Sequence, residues 1–370
     1  MAFLNFNKMI IRGVACSVPK QIRYSSEFEH WLGKDGVDKF IKNVGVVSGH
    51  VTSSEQTASD LCFDAADRLL NELEIDRSTI DILLFVTQTP DYIAPSSACV
   101  LQHRLGLSEN CGAYDINLAC SGYVYGLSSA MGYLSCGSKK VLLLAGDTVS
   151  KHCSPEDRAL TMLSKDAGTA TLIEYGESDD SMFHLKTLGK SFKSLIVPSG
   201  GYKHRAGALE RTDRGGGTYR NDYDGYMNGA DVFRFSISEV PKMYNQYIEY
   251  FGDSAMKFDT LFMHQANLFI IKHIGKRLKV NMSSIPVSMD RYGNTGAASI
   301  PTTICDFYAR EKSKQVDETV GVCGFGIGLS LGFGKIHLKQ CVVLPIKTTD
   351  VTFDDGIDSI DLETLGFLEK

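Results

Sequence analysis

One cysteine of this sequence stands where a nucleophile would be made. Cys120 ends the apolar run GAYDINLAC and is followed by Ser121, Gly122 and an apolar helical pattern. A thiol at a helix N-terminus lies at the positive end of the helix dipole, which favours the thiolate, so we expect a lowered pKa and nucleophilic chemistry. The alternative is a buried structural thiol, which we expect for most of the ten cysteines.

A histidine and an asparagine could complete the chemistry. His264 ends the run FDTLFMHQ, at the edge where α/β sheets present functional side chains, and Asn294 lies in the glycine-containing turn RYGNTGAAS. Each has an ordinary alternative, a core histidine and a turn-forming asparagine. If they meet Cys120, the thiol can attack a thioester carbonyl while two neutral donors hydrogen-bond to an oxygen that becomes negative, as in an enolate.

The elements that must position these residues follow an α/β pattern, in which apolar β-branched runs alternate with helical segments. The order strand, helix, turn, helix, strand occurs twice, from DILLFVTQTP to VLLLAGD and from FDTLFMHQAN to VGVCGFG. We therefore predict an internally duplicated chain whose halves face each other across a pseudo-twofold axis and bring the three residues to one point. The predicted strands span residues 10–19, 81–90, 112–120, 140–149, 168–175, 194–200, 258–265 and 320–334.

Composition excludes several classes of protein. The 370 residues carry a net charge of −6, and the segment from Asp350 to Lys370, with seven acids and one base, accounts for all of it. Without a basic excess we expect no nucleic-acid partner. No apolar run approaches the roughly 18 to 20 residues of a membrane span, the opening residues lack a signal-peptide pattern, and the cysteines lack zinc spacing. We expect a cytoplasmic protein without a metal.

The motifs around these residues resemble those of a known family. Cys120 in DINLACSGYVYGL, His264 in HQAN, Asn294 in RYGNTGAASIP and the run GFGIGLSLG are similar, in the same order, to the motifs of beta-ketoacyl-acyl-carrier-protein synthase III and its thiolase-superfamily relatives. The resemblance implies a thiolase-like fold layered α/β/α/β/α with two mixed sheets. It implies an N-terminal half with the cysteine, a C-terminal half with the histidine and asparagine, and an acidic extension, at residues 1–180, 181–338 and 339–370.

The resemblance also implies a reaction. An acyl group would move from a thioester onto Cys120, and malonyl-acyl-carrier protein would then decarboxylate to an enolate held by His264 and Asn294. Backbone N–H groups of Cys120 and Ile327 would hold the acyl oxyanion, and Phe325 would pack beside the nucleophile. The implied protein is a homodimer that acts on small acyl thioesters and an acyl-carrier protein and needs no cofactor.

Residues that would bind the acyl donor depart in part from the family pattern. Arg158 in EDRALT and Asn267 in HQAN are expected to contact the donor. Lys39 stands where the family has a tryptophan and Asn43 where it has an arginine, so half of the platform that holds the adenine of coenzyme A is replaced.

Two further surfaces follow from the resemblance. A residue before P-S-x-A-C, often phenylalanine, closes the partner's acyl pocket, and here it is Ala94, with Tyr92 nearby. The smaller side chain predicts a primer larger than acetyl. On the helix after HQAN, basic residues are expected to meet an acidic carrier protein, the alternative being a plain solvated face: Lys272, Lys276 and Arg277.

Other functions remain as competitors. An acyltransferase to an alcohol or amine would keep acyl-Cys120, and a silent scaffold subunit would not be acylated. A papain-like protease fits the order Cys, His, Asn but lacks a C-G-S-C-W-type sequence, and GFGIGLSLG is followed by a strand pattern instead of the helix that a dinucleotide site requires. Lys165 replaces a family glycine, and we expect it at the surface or paired with Asp166, the alternative being a catalytic lysine.

Overall fold

The computed structural model describes residues 1–157, 160–215, 218–310 and 315–357. The α-helices, numbered in chain order, are α1 Glu29–Val44, α2 Ala58–Glu72, α3 Ser97–Arg104, α4 Gly122–Ser135, α5 Gly229–Phe251, α6 Leu268–Leu278, α7 Met289–Tyr292 and α8 Ser299–Arg310. The strands are β1 Ala2–Phe6, β2 Met9–Pro19, β3 Ile22–Tyr24, β4 Ser48–His50, β5 Ile82–Val86, β6 Gly112–Ile116, β7 Lys140–Thr148, β8 Asp166–Tyr175, β9 Ser181–Thr187, β10 Leu195–Ile196, β11 Thr212–Asp213, β12 Tyr219–Arg220, β13 Tyr226–Met227, β14 Thr260–Met263, β15 Gln315–Gly326, β16 Ser330–Val343 and β17 Lys347–Thr349.

The large mixed sheet contains the same arrangement twice. In the first copy the neighbours run β2, β8, β7, β5, with two antiparallel contacts followed by a parallel one. In the second copy the neighbours run β9, β16, β15, β14, with the same antiparallel, antiparallel and parallel contacts. This repetition confirms the internal duplication that the sequence pattern predicts.

The two copies are joined into one sheet at β2. Val342 and Val343, at the end of β16, pair in parallel with Gly13 and Val14, and β17 continues the pairing further along β2. The strand β16 therefore crosses the boundary expected at residue 338, and β1 lies beside β9 in the second copy. The first residues of the acidic extension thus form part of the sheet.

Three apolar clusters give the expected five layers. The central cluster contains α4 and α8 between the two copies of the sheet, whereas α2 and α3 cover the outside of the first copy and α5 and α6 that of the second. Strand β5 shows the alternation: Leu84 and Val86 join the central cluster, and Leu83 and Phe85 join the outer one. None of the described helices combines the length and apolarity that a membrane crossing requires.

The glycine run is a hairpin. Residues 320–334, predicted as one strand, belong to the antiparallel strands β15 and β16, which pair down to Gly326 and Ser330 around a turn at residues 327–329. The prediction of one strand is wrong because small residues can continue a strand or reverse it. The hairpin brings this turn to the end of the sheet where Cys120 lies.

Candidate active site

Cys120 occupies the connection from β6 to the central helix α4. It directly precedes Ser121, the N-terminal cap residue of α4. The Ser121 hydroxyl lies 2.7 Å from that of Ser330, which donates to the carbonyl oxygen of Ile327 at 2.7 Å. These contacts fix the cysteine loop of the first half against the glycine hairpin of the second.

The glycine hairpin packs directly on the cysteine. A Cβ added to Gly326 would lie 2.6 Å from Cys120 Sγ, and one added to Gly324 would lie 2.8 Å from Cα of Ser121. Only glycine leaves room for so close an approach. The backbone N–H of Ile327 consequently reaches the Cys120 thiol, where it favours the thiolate.

Burial, and not the helix terminus, dominates the acidity of Cys120. Removal from water raises the pKa of this thiol to about 11, and the negative charge of Asp147 raises it as well. The backbone amides of Ile327 and of Cys120 itself lower the pKa, but by less than burial raises it. The lowered pKa that the position before α4 predicts is therefore wrong. The resting form is the thiol.

His264 is held in a neutral state at the end of β14. Its backbone N–H donates to the carbonyl oxygen of Cys323 at 2.8 Å, and its Nδ1 lies 2.6 Å from the hydroxyl of Ser299 in α8. The ring of Phe325 meets the imidazole edge-on, with centroids 5.7 Å apart. Burial lowers the pKa of His264 to about 3, so the imidazole is uncharged at neutral pH.

Asn294 is anchored by its backbone and its side-chain oxygen. Its N–H donates to the carbonyl oxygen of Leu163, and its own carbonyl accepts from the N–H of Lys165, each at 2.9 Å. Its Oδ1 accepts from the N–H of Gly296 at 3.1 Å. Because Oδ1 is engaged, the Nδ2 amide group is what Asn294 can offer to a ligand.

A buried carboxylate that the sequence pattern did not predict links the turn RYGNTGAAS around Asn294, the asparagine turn, to the first half. Asp147, at the end of β7, accepts from the N–H of Ala297 at 2.7 Å and from that of Gln88 at 2.8 Å. Burial raises its pKa to about 7. A Cβ added to Gly296 would collide with Asp147 Oδ2. The only sequence signal was an acid at the end of a predicted buried strand.

The two halves meet around Cys120. The ring of Phe325 contacts His264, while its neighbours Gly324 and Gly326 touch Ser121 and Cys120. On the other side, Gly122 approaches Ala297 of the asparagine turn, where an added Cβ would lie 3.9 Å from that of Ala297. These contacts link the loop of Cys120 to the end of β14 that carries His264 and to the turn that carries Asn294.

Two of the expected donor-binding residues lie in neighbouring elements, because Gly45 at the end of α1 packs against Leu268 of α6. Asn43 is exposed near the end of α1, and Asn267 caps α6 by accepting from the N–H of Ile270 at 2.7 Å. Arg158 lies outside the described residues. Among the described residues, no group of three or more His, Cys, Asp or Glu side chains is placed to hold a metal ion.

The pocket and docking residues lie at the surface of this chain. Ala94 is exposed beside Ile93, which is 73% exposed, and the hydroxyl of Tyr92 donates to Asp355 of the acidic extension. The basic residues expected to meet a carrier protein are all exposed on α6: Lys272, Lys276 and Arg277.

Lys165 is neither at the surface nor paired with Asp166, so both expectations for it are wrong. Its side chain is 1% exposed, and its Nζ donates to the carbonyl oxygens of Met162 and Ser164 at 2.7 and 3.2 Å. The Asp166 carboxylate accepts instead from Thr52 and Ser150.

Comparison with known proteins agrees with this architecture. Residues 114–189 match the model of 3-oxoacyl-acyl-carrier-protein synthase III, and residues 254–336 match the model of its C-terminal part. A putative 3-oxoacyl-acyl-carrier-protein synthase 3 of Campylobacter jejuni is 32% identical over 90% of this chain and 95% of its own length. A beta-ketoacyl-acyl-carrier-protein synthase III of Clostridioides difficile is 33% identical over 87% and 96%.

A solved structure shows the same fold. The crystal structure of a 3-oxoacyl-acyl-carrier-protein synthase from Burkholderia xenovorans superposes with a TM-score of 0.87 at 35% identity, covering 94% of this chain and 99% of that one. The duplicated, layered sheet defines an enzyme of the thiolase-like condensing class. Within that class, the chain belongs to the 3-oxoacyl-acyl-carrier-protein synthase III family.

Proposed function

We propose that this enzyme condenses an acyl thioester primer with malonyl-acyl-carrier protein, with loss of carbon dioxide, to give a 3-oxoacyl-acyl-carrier protein. The contacts that link the segments carrying Cys120, His264 and Asn294 across the two halves support the proposal most directly. The thiol supplies a nucleophile, and the two uncharged donors suit the oxygen of an enolate better than a charged pair would. The steps need no metal or redox group.

The first half-reaction loads the enzyme. The Cys120 sulfur attacks the primer thioester carbonyl, the departing thiol takes up the proton that Cys120 gives up, and an acyl-Cys120 remains. The backbone N–H groups of Ile327 and Cys120 stabilise the oxyanion of the tetrahedral intermediate. Because burial raises the pKa of Cys120, this half-reaction needs the thiol to lose its proton as the donor binds.

The second half-reaction uses the histidine and asparagine. The bond from the malonyl methylene to its carboxylate breaks, carbon dioxide leaves, and the electron pair moves onto the thioester oxygen. When the Ser299 hydroxyl donates to Nδ1 of His264, Nε2 carries the proton and donates to this oxygen together with Asn294 Nδ2. The enolate carbon then attacks acyl-Cys120 and expels the Cys120 sulfur, which regains a proton.

Mass spectrometry of the intact protein tests the proposal. Incubation with coenzyme A and carrier-protein thioesters of two to ten carbons should add one acyl group at Cys120, and addition of malonyl-acyl-carrier protein should release carbon dioxide and discharge it. An acylated Cys120 without carbon dioxide release would favour transfer to an alcohol or amine. Absence of labelling by every donor would favour a scaffold subunit.

The primer preference is a separate outcome of the same panel. The small exposed side chain of Ala94 supports a pocket that accepts a primer larger than acetyl, provided that this loop reaches the pocket of a second copy. We expect Ala94→Phe to shift the preference toward two carbons. A wild-type protein that accepts only acetyl would refute this part of the proposal.

Helix α6 is the proposed docking face for the carrier protein. Lys272 and Lys276 are one turn apart, Arg277 adjoins them, and all three are exposed. Reversing the charge in Lys276→Glu/Arg277→Glu should raise the KM for malonyl-acyl-carrier protein about tenfold or more, since it turns attraction for an acidic partner into repulsion. The matched control, Lys34→Glu on α1, should leave the KM unchanged, and unchanged carrier-dependent turnover in the double variant would contradict the docking face.

A further inference from the structure

Lys165 is a buried lysine whose amine lies outside the reaction described above. Its ammonium caps two carbonyl oxygens of the segment that ends at Ser164, those of Met162 and Ser164 itself. Burial lowers the pKa of Lys165 to about 8, because a charged ammonium is less stable away from water. Within the part of the chain that the structure describes, this buried ammonium donates to main-chain carbonyls alone, so its role lies in what it holds in place.

The aliphatic stem of Lys165 fills a narrow gap between two glycines. A Cβ added to Gly49 in β4 or to Gly293 would lie 2.4 Å from Cγ of Lys165. Gly293, with φ at +59°, immediately precedes Asn294. The stem therefore packs against both β4 and the asparagine turn, and its width sets the distance between Asn294 and the first half.

The backbone around Lys165 clamps Asn294 on both sides. The carbonyl oxygen of Leu163 accepts from the N–H of Asn294, and the N–H of Lys165 donates to the carbonyl of Asn294, both at 2.9 Å. The carbonyls that flank Leu163 are those that the Lys165 ammonium binds. The side chain thus stiffens the short segment that carries both contacts to Asn294.

We propose that Lys165 is a positioning residue that holds the side-chain amide of Asn294 where the enolate oxygen forms. This inference rests on the proposed function, because it gives Asn294 its role in decarboxylation. Lys165 acts through Asn294 and does not touch the substrate. Small displacements of a group that stabilises a transition state cost far more rate than displacements of a binding group.

Two variants separate the parts of the side chain. Lys165→Met keeps most of the stem and removes the ammonium, whereas Lys165→Ala also empties the gap between Gly49 and Gly293. Lys151→Met is the matched control: the Lys151 ammonium likewise donates to two main-chain carbonyls, those of Ser54 and Gln56, but in the segment before α2. Each variant is assayed for Cys120 acylation by intact mass and for carbon dioxide release from malonyl-acyl-carrier protein.

We expect Lys165→Met to slow carbon dioxide release about 10-fold and Lys165→Ala about 100-fold, with Cys120 acylation within about threefold of wild type. Lys151→Met should leave the ratio of the two half-reactions unchanged. A parallel fall of both half-reactions, or unchanged carbon dioxide release in Lys165→Met, would overturn the inference and leave the proposed function standing. A wild-type enzyme that releases no carbon dioxide would overturn both.

Discussion

At the scale of single residues, the site combines groups whose charges are suppressed by burial. The pKa of the Cys120 thiol is raised and that of the His264 imidazole is lowered, so neither is ionised at neutral pH. A thiolate–imidazolium pair of the kind found in cysteine proteases would need the opposite shifts. The uncharged pair is consistent with the proposed role of the site, in which an enolate forms and no anion is bound beforehand.

The raised pKa of Cys120 predicts its reactivity. Below its pKa, the thiolate fraction increases with pH, so alkylation of Cys120 by iodoacetamide should accelerate about tenfold per pH unit from pH 7 to 9 without levelling off. Peptide mapping measures the alkylation of Cys120 separately from that of the exposed Cys136, and alkylation of Cys136 shows that the reagent was active in the same sample. A plateau at or below pH 8 would show that the helix terminus outweighs burial after all.

The contact between Gly326 and the nucleophile predicts a severe effect of one methyl group. In Gly326→Ala the new Cβ would lie 2.6 Å from Cys120 Sγ, so either the thiol or the hairpin must move. We expect acylation of Cys120 to fall on the order of 100-fold. The control is Gly132→Ala in α4, where an added Cβ meets nothing within 4 Å. Equal acylation rates in the two variants would show that the hairpin yields easily.

Residue types and motif positions single out Cys120, His264 and Asn294 as candidates, but they do not predict what surrounds them. Asp147 and Lys165 are charged types that are seldom buried, so the sequence gives no role to Asp147 and predicts Lys165 at the surface or paired with Asp166. Asp147 is buried because its carboxylate accepts from the N–H of Ala297 in the second half. Lys165 is buried because its ammonium donates to the carbonyl oxygen of Met162 in the turn before β8. Such partners exist only after folding and leave no local pattern in the sequence.

At the scale of elements, apolar runs predicted the buried strands well and the peripheral ones poorly. The run at 140–149 is β7 and the run at 10–19 lies in β2, because both are apolar on both faces. The run at 194–200 forms only the two-residue strand β10. Strands β1 and β9 were missed, since they lie toward the edge of the sheet and carry polar residues such as Asn5 and His184.

Among the described residues, strand β6 ends the first copy of the sheet and pairs with β5 alone, so we propose its free edge as the interface of the expected homodimer. Its Tyr114 is 37% exposed and shares a hydroxyl contact with Tyr133 of α4. If two β6 strands meet across a twofold axis, Tyr114→Lys brings two like charges together and should weaken the dimer about tenfold or more. Sedimentation at micromolar concentrations measures this, with Tyr219→Lys in β12 as the control. A monomeric wild-type protein, or a Tyr114→Lys dimer as stable as the wild type, would contradict pairing through β6.

At the scale of the whole molecule, the acidic extension is bound to the first half. Gln56 donates to the carbonyl oxygens of Thr349 and Val351 in the extension. Arg104 lies against the ring of Phe353, with its guanidinium carbon 4.4 Å from the ring centre. The extension thereby reaches the loop of Tyr92, whose hydroxyl binds Asp355. Main-chain and aromatic contacts attach the extension, and its carboxylates contribute as well, Asp355 at Tyr92 and Asp350 at Lys20.

Truncation tests how much these interactions stabilise the fold. Removal of residues 347–370 should lower the free energy of unfolding by about 2 kcal/mol or more relative to removal of residues 358–370, because each hydrogen bond or cation–π interaction that it deletes contributes about 1 kcal/mol. Urea unfolding of the two truncated proteins gives the difference. Equal midpoints and slopes would show that residues 347–357 contribute nothing to the stability of the fold.

The pairing of β2 with the end of β16 also limits the order in which the parts of the fold can form during synthesis. As the chain leaves the ribosome, Cys120 emerges about two hundred residues before Ile327, and β2 waits still longer for Val342 and Val343. Contacts so distant in sequence form slowly. A nascent chain therefore contains the Cys120 thiol before the backbone amide of Ile327 that lies against it, and the proposed site can form only after Ile327 has left the ribosome.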